Sequence, residues 1–316
     1  MNKENPLISI IVRTKDRPEL LKNALKSIVQ QSYRPIEIVL VNDGGCDLHF
    51  EEIEHMLSDI ILYYVRLKKN SGRAHAGNVG IENTKGAFIG FLDDDDEFYP
   101  EHLETLVTSL HRAHYNIAYT AVEFIEKSFH DDGAPAQTDR KVLFSRDFSY
   151  KDLIINNYIP LMSLLFKADI VKNLKFDESF DLYEDWDLLI RAGETTDFHF
   201  IDKVTAVYNQ WSTTQIAFKS PQEKIRNETL KIYKKHRAKM PLELIFHLRE
   251  ENVRKDKVIA DKDEYIKTIE TRIHDIGKTL EEKVTYIQTI HSGRGWRLLT
   301  KYYKIRDSIL RLIHVR

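Results

Sequence analysis

The chain has 316 residues, 42% of them hydrophobic and 30% charged, with a single cysteine. That balance excludes a wholly disordered chain, a collagen-like repeat and a disulfide-stapled mini-protein, and the length suits two domains or one large domain with an appendage. The formal net charge of −2 joins two unlike parts. Residues 291–316 carry seven basic residues (Arg294, Arg297, Lys301, Lys304, Arg306, Arg311, Arg316) against Asp307, a net of +6, which leaves −8 for residues 1–290.

Residues 7–12 are short, apolar and rich in β-branched side chains, as a buried strand should be. Pro18 then opens a helix with Leu21, Ala24, Leu25 and Ile28 at helical spacing; proline suits a first turn, where its missing N–H would be unpaired anyway. Residues 36–41 read as a second strand, ended by Asn42-Asp43-Gly44-Gly45, and residues 60–65 as a third. A helix is expected over 73–84 and a strand over 87–92, ended by a run of acids. Pro100 opens another helix, reaching His111. Strands and helices alternating at this spacing imply crossovers and a mostly parallel sheet covered by helices on both faces. In such sheets functional residues gather at the carboxyl ends of strands. Three ends carry polar clusters: Arg13-Thr-Lys-Asp16, Asn42-Asp43 and residues 93–97.

Beyond 120 the pattern is less regular. Residues 131–139 read as a mobile loop, 161–166 and 198–208 as strands, and 184–192 as a helix. From 245 to 290 a seven-residue period takes over. The a positions are Ile245, Asn252, Ile259, Ile266, Ile273, Leu280 and Ile287. The d positions are Leu248, Lys255, Lys262, Ile269, Ile276, Lys283 and Ile290. This register predicts a homo-oligomeric coiled coil; Asn252 favours a dimer, isoleucine at both a and d a trimer. The expected division is 1–240 for a first domain, 241–290 for the coil and 291–316 for a basic tail.

In that tail Leu298, Tyr302, Ile305, Ile309 and Leu312 share one helical face and Arg297, Lys301, Lys304 and Arg311 the other, with Arg306 inside the apolar arc. The pattern suits an interfacial helix on an anionic membrane, or a terminal helix packed on a partner chain. The lone Cys46 fits a reducing compartment. No secretory signal and no membrane-length apolar run is legible. The expectation is a cytoplasmic chain, soluble or peripheral at the inner face of the cell membrane. Nucleic acid is not an expected partner, since no groove-reading motif is present and the body is acidic.

Four motifs carry chemistry. Asp93-Asp-Asp-Asp-Glu97 sets five carboxylates after a buried strand, and their repulsion calls for a cation among them. Oxygen donors suit Mg²⁺ or Mn²⁺; a solvated turn at a helix start is the other reading. Asp43 could accept from a nucleobase N–H or close an Asx turn. Residues 70–78 form a glycine-containing turn into a helix, with Arg73 near a terminus that favours anions. Glu184, Asp185 and Asp187 cluster at a helix start, as a general base or as caps.

In order, these motifs resemble family 2 of the inverting nucleotide-sugar glycosyltransferases, which have the GT-A fold. The matching stretches are Thr14-Lys-Asp-Arg-Pro18, Asn42-Asp43-Gly44, Asn70-Ser-Gly72 with Asn78-Val-Gly80, Asp93-Asp-Asp-Asp96, and Glu184-Asp185. The resemblance covers residues 6 to about 212 and implies an α/β GT-A domain followed by the helical coil. It implies that Thr14, Asp16, Arg17, Asp43, Arg73, Asn78, Asp93 and Asp94 bind the nucleotide sugar, of UDP or dTDP type. Asp95 would hold Mn²⁺ or Mg²⁺ on the diphosphate, and Asp185 would be the base. Glu184, Trp186 and Trp211 would support the site or a glycan or lipid-linked acceptor. Two positions depart from the pattern. Gly77 stands where many members have arginine, so Arg73 is expected to supply that charge. Trp211 stands where a metal-binding histidine often falls, and His199 lies outside the pattern. The implied activity is transfer of a sugar to a hydroxyl, with inversion, in bacterial surface polysaccharide assembly. The alternatives are an inactive GT-A module serving as an oligomeric scaffold and a nucleotidyltransferase, although residues 12–20 lack the glycine- and lysine-containing phosphate loop of the latter.

Overall fold

A computed structural model describes residues 5–48, 50–57, 60–113, 115–129, 135–211, 220–240 and 242–313. The chain divides into two compact units, Met1–Met240 and Pro241–Arg316. In the first, β1 (Ile8–Thr14) and β2 (Ile36–Asn42) are buried along their whole length, which is why they read as unbroken apolar runs. Between them α1 (Pro18–Val29) carries proline in its first turn and buries Leu21, Ala24, Leu25 and Ile28 against the sheet. Next come α2 (Phe50–Leu57), β3 (Ile61–Arg66), α3 (Arg73–Glu82), β4 (Phe88–Asp93), the short β5 (Glu97–Phe98) and α4 (His102–Ala113). The second half contains β6 (Ile117–Phe129), β7 (Pro135–Phe144), α5 (Tyr150–Ile155), β8 (Leu164–Lys167), α6 (Ala168–Leu174), α7 (Glu184–Gly193), β9 (Phe198–Trp211) and α8 (Gln222–His236).

The strands form one sheet in the order β3-β2-β1-β4-β8-β6-β9-β5, with β7 paired to β6. Helical crossovers make β3, β2, β1 and β4 mutually parallel, as the alternation predicts. Beyond β4 the sheet is mixed rather than mostly parallel. β8 lies antiparallel between β4 and β6, and β9 runs parallel to β6 and antiparallel to β5. The expected loop over 131–139 is also revised. Pro135 begins β7, which pairs antiparallel with β6; residues 131–134 lie outside the described residues. The long β6 offers a ladder edge whose hydrogen bonds outweigh local turn preference, and a proline at the first strand position costs no ladder bond. The strand expected over 161–166 starts late, because Leu161–Ser163 form a 3₁₀ turn in which Ser163 Oγ donates to the Pro160 carbonyl at 2.7 Å.

Two local features fix the chain outside the strands. Gly44 has φ +70°, and a Cβ there would lie 2.2 Å from the Lys69 carbonyl carbon. Because backbone is in the way, Gly44→Ala should destabilise the protein by about 2 kcal/mol or more. Chemical denaturation should show a lower midpoint at unchanged slope. The second feature is Asp187, fully buried on α7. Its carboxylate meets Arg191 Nε at 2.8 Å, Lys235 Nζ at 2.7 Å and His236 Nε2 at 2.9 Å, which binds α8 to α7. Arg191 also donates to the carbonyls of Leu174 and Lys175 at 2.7 and 2.6 Å, closing the end of α6.

The second unit comprises α9 (Leu242–Ser292) and α10 (Arg294–Ile313), separated at Gly293. On α9 the a and d side chains Ile266, Ile269, Ile273, Ile276, Leu280 and Ile287 are exposed. On α10 Leu298, Tyr302, Ile305 and Ile309 are exposed too. Among the described residues no helix is long and apolar enough to cross a membrane.

Candidate active site

The parallel register brings the three polar clusters to one edge: Arg13 stands beside Asp93 and Thr14 beside Asn42. On the β2 side, Asp43 accepts from the N–H groups of Ser71 and Gly72 at 2.7 and 3.0 Å, which folds the 70–72 turn over it. Gly72 takes φ +91° there. Asp16, itself at φ +55°, accepts from the Cys46 N–H at 2.7 Å. That bond and the adjacent Lys15 lower its pKa to about 2.

The acidic turn is held from below. Asp94 is fully buried; it accepts from Thr14 Oγ1 at 2.6 Å and Arg17 Nε at 3.1 Å, and burial pushes its pKa up to about 7. Arg17 Nη1 also reaches Asp95 at 2.7 Å. From β9, the Asn209 N–H donates to Asp96 at 2.9 Å, and its Nδ2 donates to the Asp95 carbonyl at 2.9 Å and to Glu97 at 3.1 Å. Burial raises the pKa values of Asp95 and Asp96, with neighbouring carboxylates adding to the rise.

These are the donors and the excess negative charge that suit a hard divalent cation. Asn209 Oδ1 is also buried beside them without a hydrogen-bond partner. Among the described residues no three His, Cys, Asp or Glu side chains converge as a preformed cage. The residues therefore fit an ion that takes one or two carboxylates from the protein and the rest of its shell from phosphate and water, as Mg²⁺ does.

The first turn of α7 is joined to the acidic turn through Arg13. Tyr183, with φ +67°, turns the chain into α7. Glu184 is buried and paired with Arg13 at 3.2 Å and Arg73 at 3.1 Å. Asp185 accepts from Asn157 Nδ2 at 3.1 Å and from the Trp186 N–H at 2.8 Å. Burial, then the charge of Glu184, push its pKa up to about 6, against the pull of Arg73. A cleft of about 550 Å³ runs past Thr14, Arg17, Asp43, Arg73, Asp93 and Asp95. A recess of about 100 Å³ shares Arg13, Arg73, Asp93, Asp96 and Tyr208 with it and extends to Glu184 and Asp185.

Four of the expected site residues stand elsewhere. Asp94, expected to bind nucleotide, has no exposed surface and supports Thr14 and Arg17 instead. Asn78, likewise expected there, is buried and pins the 176–178 segment, with Nδ2 donating to the Phe176 carbonyl at 3.0 Å and to Glu178 at 2.9 Å. Trp186, expected near an acceptor, is packed beneath α7 with its indole N–H on the Leu153 carbonyl at 2.5 Å. Asp16 sits at the exposed rim. Trp211 ends β9, and its side chain lies outside the described residues. His199 stacks on Tyr115 with ring centroids 4.7 Å apart. Gly77 leaves no room for a longer side chain, since a Cβ would meet the Phe176 ring at 2.6 Å.

Sequence reasoning missed Arg13, Asn209, Tyr208 and Asn157 as site residues. Arg13 was visible only as one member of a strand-end cluster, and nothing local marks Asn157.

An uncharacterised glycosyltransferase of Bacillus subtilis is 29% identical over 188 residues, which cover 59% of this chain and 68% of that protein. A Campylobacter jejuni GalNAc(5)-diNAcBac-PP-undecaprenol beta-1,3-glucosyltransferase is 28% identical over 55% of this chain and 56% of its own. The chain thus spans little more than half of that enzyme's length. Among solved structures, S. aureus TarS 1-349 in complex with UDP-GlcNAc has a TM-score of 0.55 at 18% identity, over 72% of this chain and 66% of that one. The Pyrobaculum calidifontis mannosyltransferase PcManGT, in complex with GDP-Man and Mn²⁺, has a TM-score of 0.54 at 16% identity, over 73% and 64%. These two share the fold. The match to Glycosyl transferase family 2 covers residues 9–172, just over half of the chain, and to that family the chain belongs.

Proposed function

We propose that the protein is a metal-dependent, inverting glycosyltransferase that moves a sugar from a nucleoside-diphosphate donor to a hydroxyl of a glycan or lipid-linked acceptor. The observation that carries this reading is the shared recess: Asp185 and the acidic turn line one cavity. The nucleoside would lie toward Asp43 and Thr14 and the diphosphate toward Asp93 and Asp95. A divalent cation held by Asp95 would neutralise the charge that develops on the leaving diphosphate. Arg73, partly exposed at the start of α3, adds positive charge to the same wall. Asp185 withdraws the proton of the acceptor hydroxyl as its oxygen attacks the anomeric carbon. One displacement from the opposite face inverts that carbon, and no enzyme nucleophile is required.

The proposed donor base is uridine or thymidine, which fits the UDP-GlcNAc bound by a structural neighbour. A thermal-shift screen of nucleoside diphosphates with and without Mn²⁺ tests the reading. Binding to the native state alone stabilises it, by about 2.7 kcal/mol at 100 times the dissociation constant. UDP or dTDP should raise the melting temperature only with metal present. No shift with any nucleotide would overturn the proposal.

The helical unit is proposed to serve assembly and placement. The exposed a and d stripe of α9 suits pairing with copies of the same chain. The basic and apolar faces of α10 suit an anionic membrane, where a lipid-linked acceptor would reside. Deleting residues 291–316 should abolish sedimentation with anionic liposomes and leave neutral liposomes unaffected; unchanged binding would remove the anchor role. Bacterial surface polysaccharide assembly is the setting proposed for this activity, as the undecaprenol-linked substrate named for the Campylobacter jejuni relative suggests.

A further inference from the structure

Arg13 is the second-last residue of β1 and is only 6% exposed, yet it joins three segments. Its Nε and Nη2 both donate to Asp93 Oδ1, at 2.9 and 2.7 Å. Its Nη1 donates to Glu184 Oε1 and to the Arg73 carbonyl, both at 3.2 Å. The guanidinium lies 5.8 Å from the centroid of the Phe176 ring. That ring is fixed in turn. The Phe176 N–H and carbonyl are both taken by the Asn78 side chain. The ring fills the space over Gly77 and meets Phe91 edge-on at 5.4 Å. Arg13 therefore has little freedom to turn, and its planar fork sets a fixed angle between Asp93 and Glu184. Arg73 also holds Glu184, but its side chain is 37% exposed and no hydrogen bond ties it to Asp93. Of these two arginines, only Arg13 hydrogen-bonds both Asp93 on the acidic turn and Glu184 on α7.

We propose that Arg13 is a positioning residue for the transfer step, fixing the acidic turn that faces the donor to the first turn of α7 that carries Asp185. The inference rests on the glycosyl-transfer reading of the same site. Through Asp93 it holds the wall on which the leaving diphosphate sits. Through Glu184 it holds the residue next to the base. The separation between base and leaving group is then set by one rigid plane rather than by two independent loops. Lysine at this position keeps the charge, so Asp93 and Glu184 are not left as uncompensated buried carboxylates, but it cannot bridge two carboxylates at a fixed angle.

The test uses the full chain with Arg13→Lys, Glu184→Gln and the pair together. Misplacing a base by about an ångström costs on the order of 100-fold, so Arg13→Lys should lower kcat about 100-fold while donor KM and UDP affinity stay within about threefold. Both substitutions break one link, so the double variant should be little worse than the poorer single variant. In the free protein, amide exchange over residues 183–187 should be faster in Arg13→Lys than in the unsubstituted protein, with other segments unchanged. A kcat within about twofold of the unsubstituted protein, or strictly additive losses, would overturn the proposal. So would unchanged exchange over 183–187. If the unsubstituted protein transfers no sugar from any donor, the glycosyl-transfer reading fails, and the exchange measurement still decides whether Arg13 holds α7.

Discussion

Asp185→Asn should reduce kcat by about 10³-fold or more while UDP affinity is retained, because a positioned general base contributes about 10²–10⁴-fold to such a step. The amide is close in size, and its oxygen can still accept from the Trp186 N–H; its NH2 replaces the oxygen that received Asn157 Nδ2, so only that one bond is lost and the fold around it should persist. The pH profile supplies an independent check. Burial beside Glu184 puts the Asp185 pKa at about 6. The base works only when deprotonated, so kcat should fall as pH drops through about 6 and level off above it. In Asp185→Asn the remaining activity should lose that limb. A variant with unchanged turnover, or with the limb intact, would remove Asp185 from the base role.

The second large effect is expected from the metal. Dialysis against a chelator should abolish transfer, and Mn²⁺ or Mg²⁺ should restore it. Asp95→Asn should then need far more metal, with kcat/KM down by about 100-fold or more at a fixed low Mn²⁺ concentration. Asp94→Asn separates this from general damage to the acidic turn. Asp94 is buried on Thr14 and Arg17, so its loss should show first as a lower melting temperature, not as a changed metal requirement. Full activity in chelator would rule out a metal-dependent step.

The sheet edge was legible because its signals are local. Apolar runs at 7–12, 36–41 and 87–92 each stop at polar clusters, and parallel register brings those stops together. The antiparallel half was not legible. Nothing within 164–167 reveals that β8 will lie between β4 and β6, since pairing direction depends on distant partners. Within the site, motifs located the carboxylates but not their exposure. Asp93, Asp94, Asp95 and Asp96 are alike in sequence, yet Asp94 points below the turn to Thr14 while Asp93 and Asp95 line the cleft. Asn78 and Trp186 were misplaced for the same reason: a helix face was inferred without knowing what covers it. Arg13 was hidden because its partners lie 80 and 171 residues away.

The buried Asp187 on α7 has a practical bearing on where this enzyme can be cut. The last strand ends at Trp211, a point that would look like a natural place to trim an expression clone. A cut there would discard Lys235 and His236, two of the three cationic or imidazole groups that face the Asp187 carboxylate. A shortened chain would leave that charge inside the protein with only Arg191 beside it, two positions beyond Asp185. The shortest working piece of this molecule therefore has to run past His236, and insoluble or inactive fragments ending between Trp211 and His236 would report a broken charge cluster between α7 and α8 rather than a missing catalytic group.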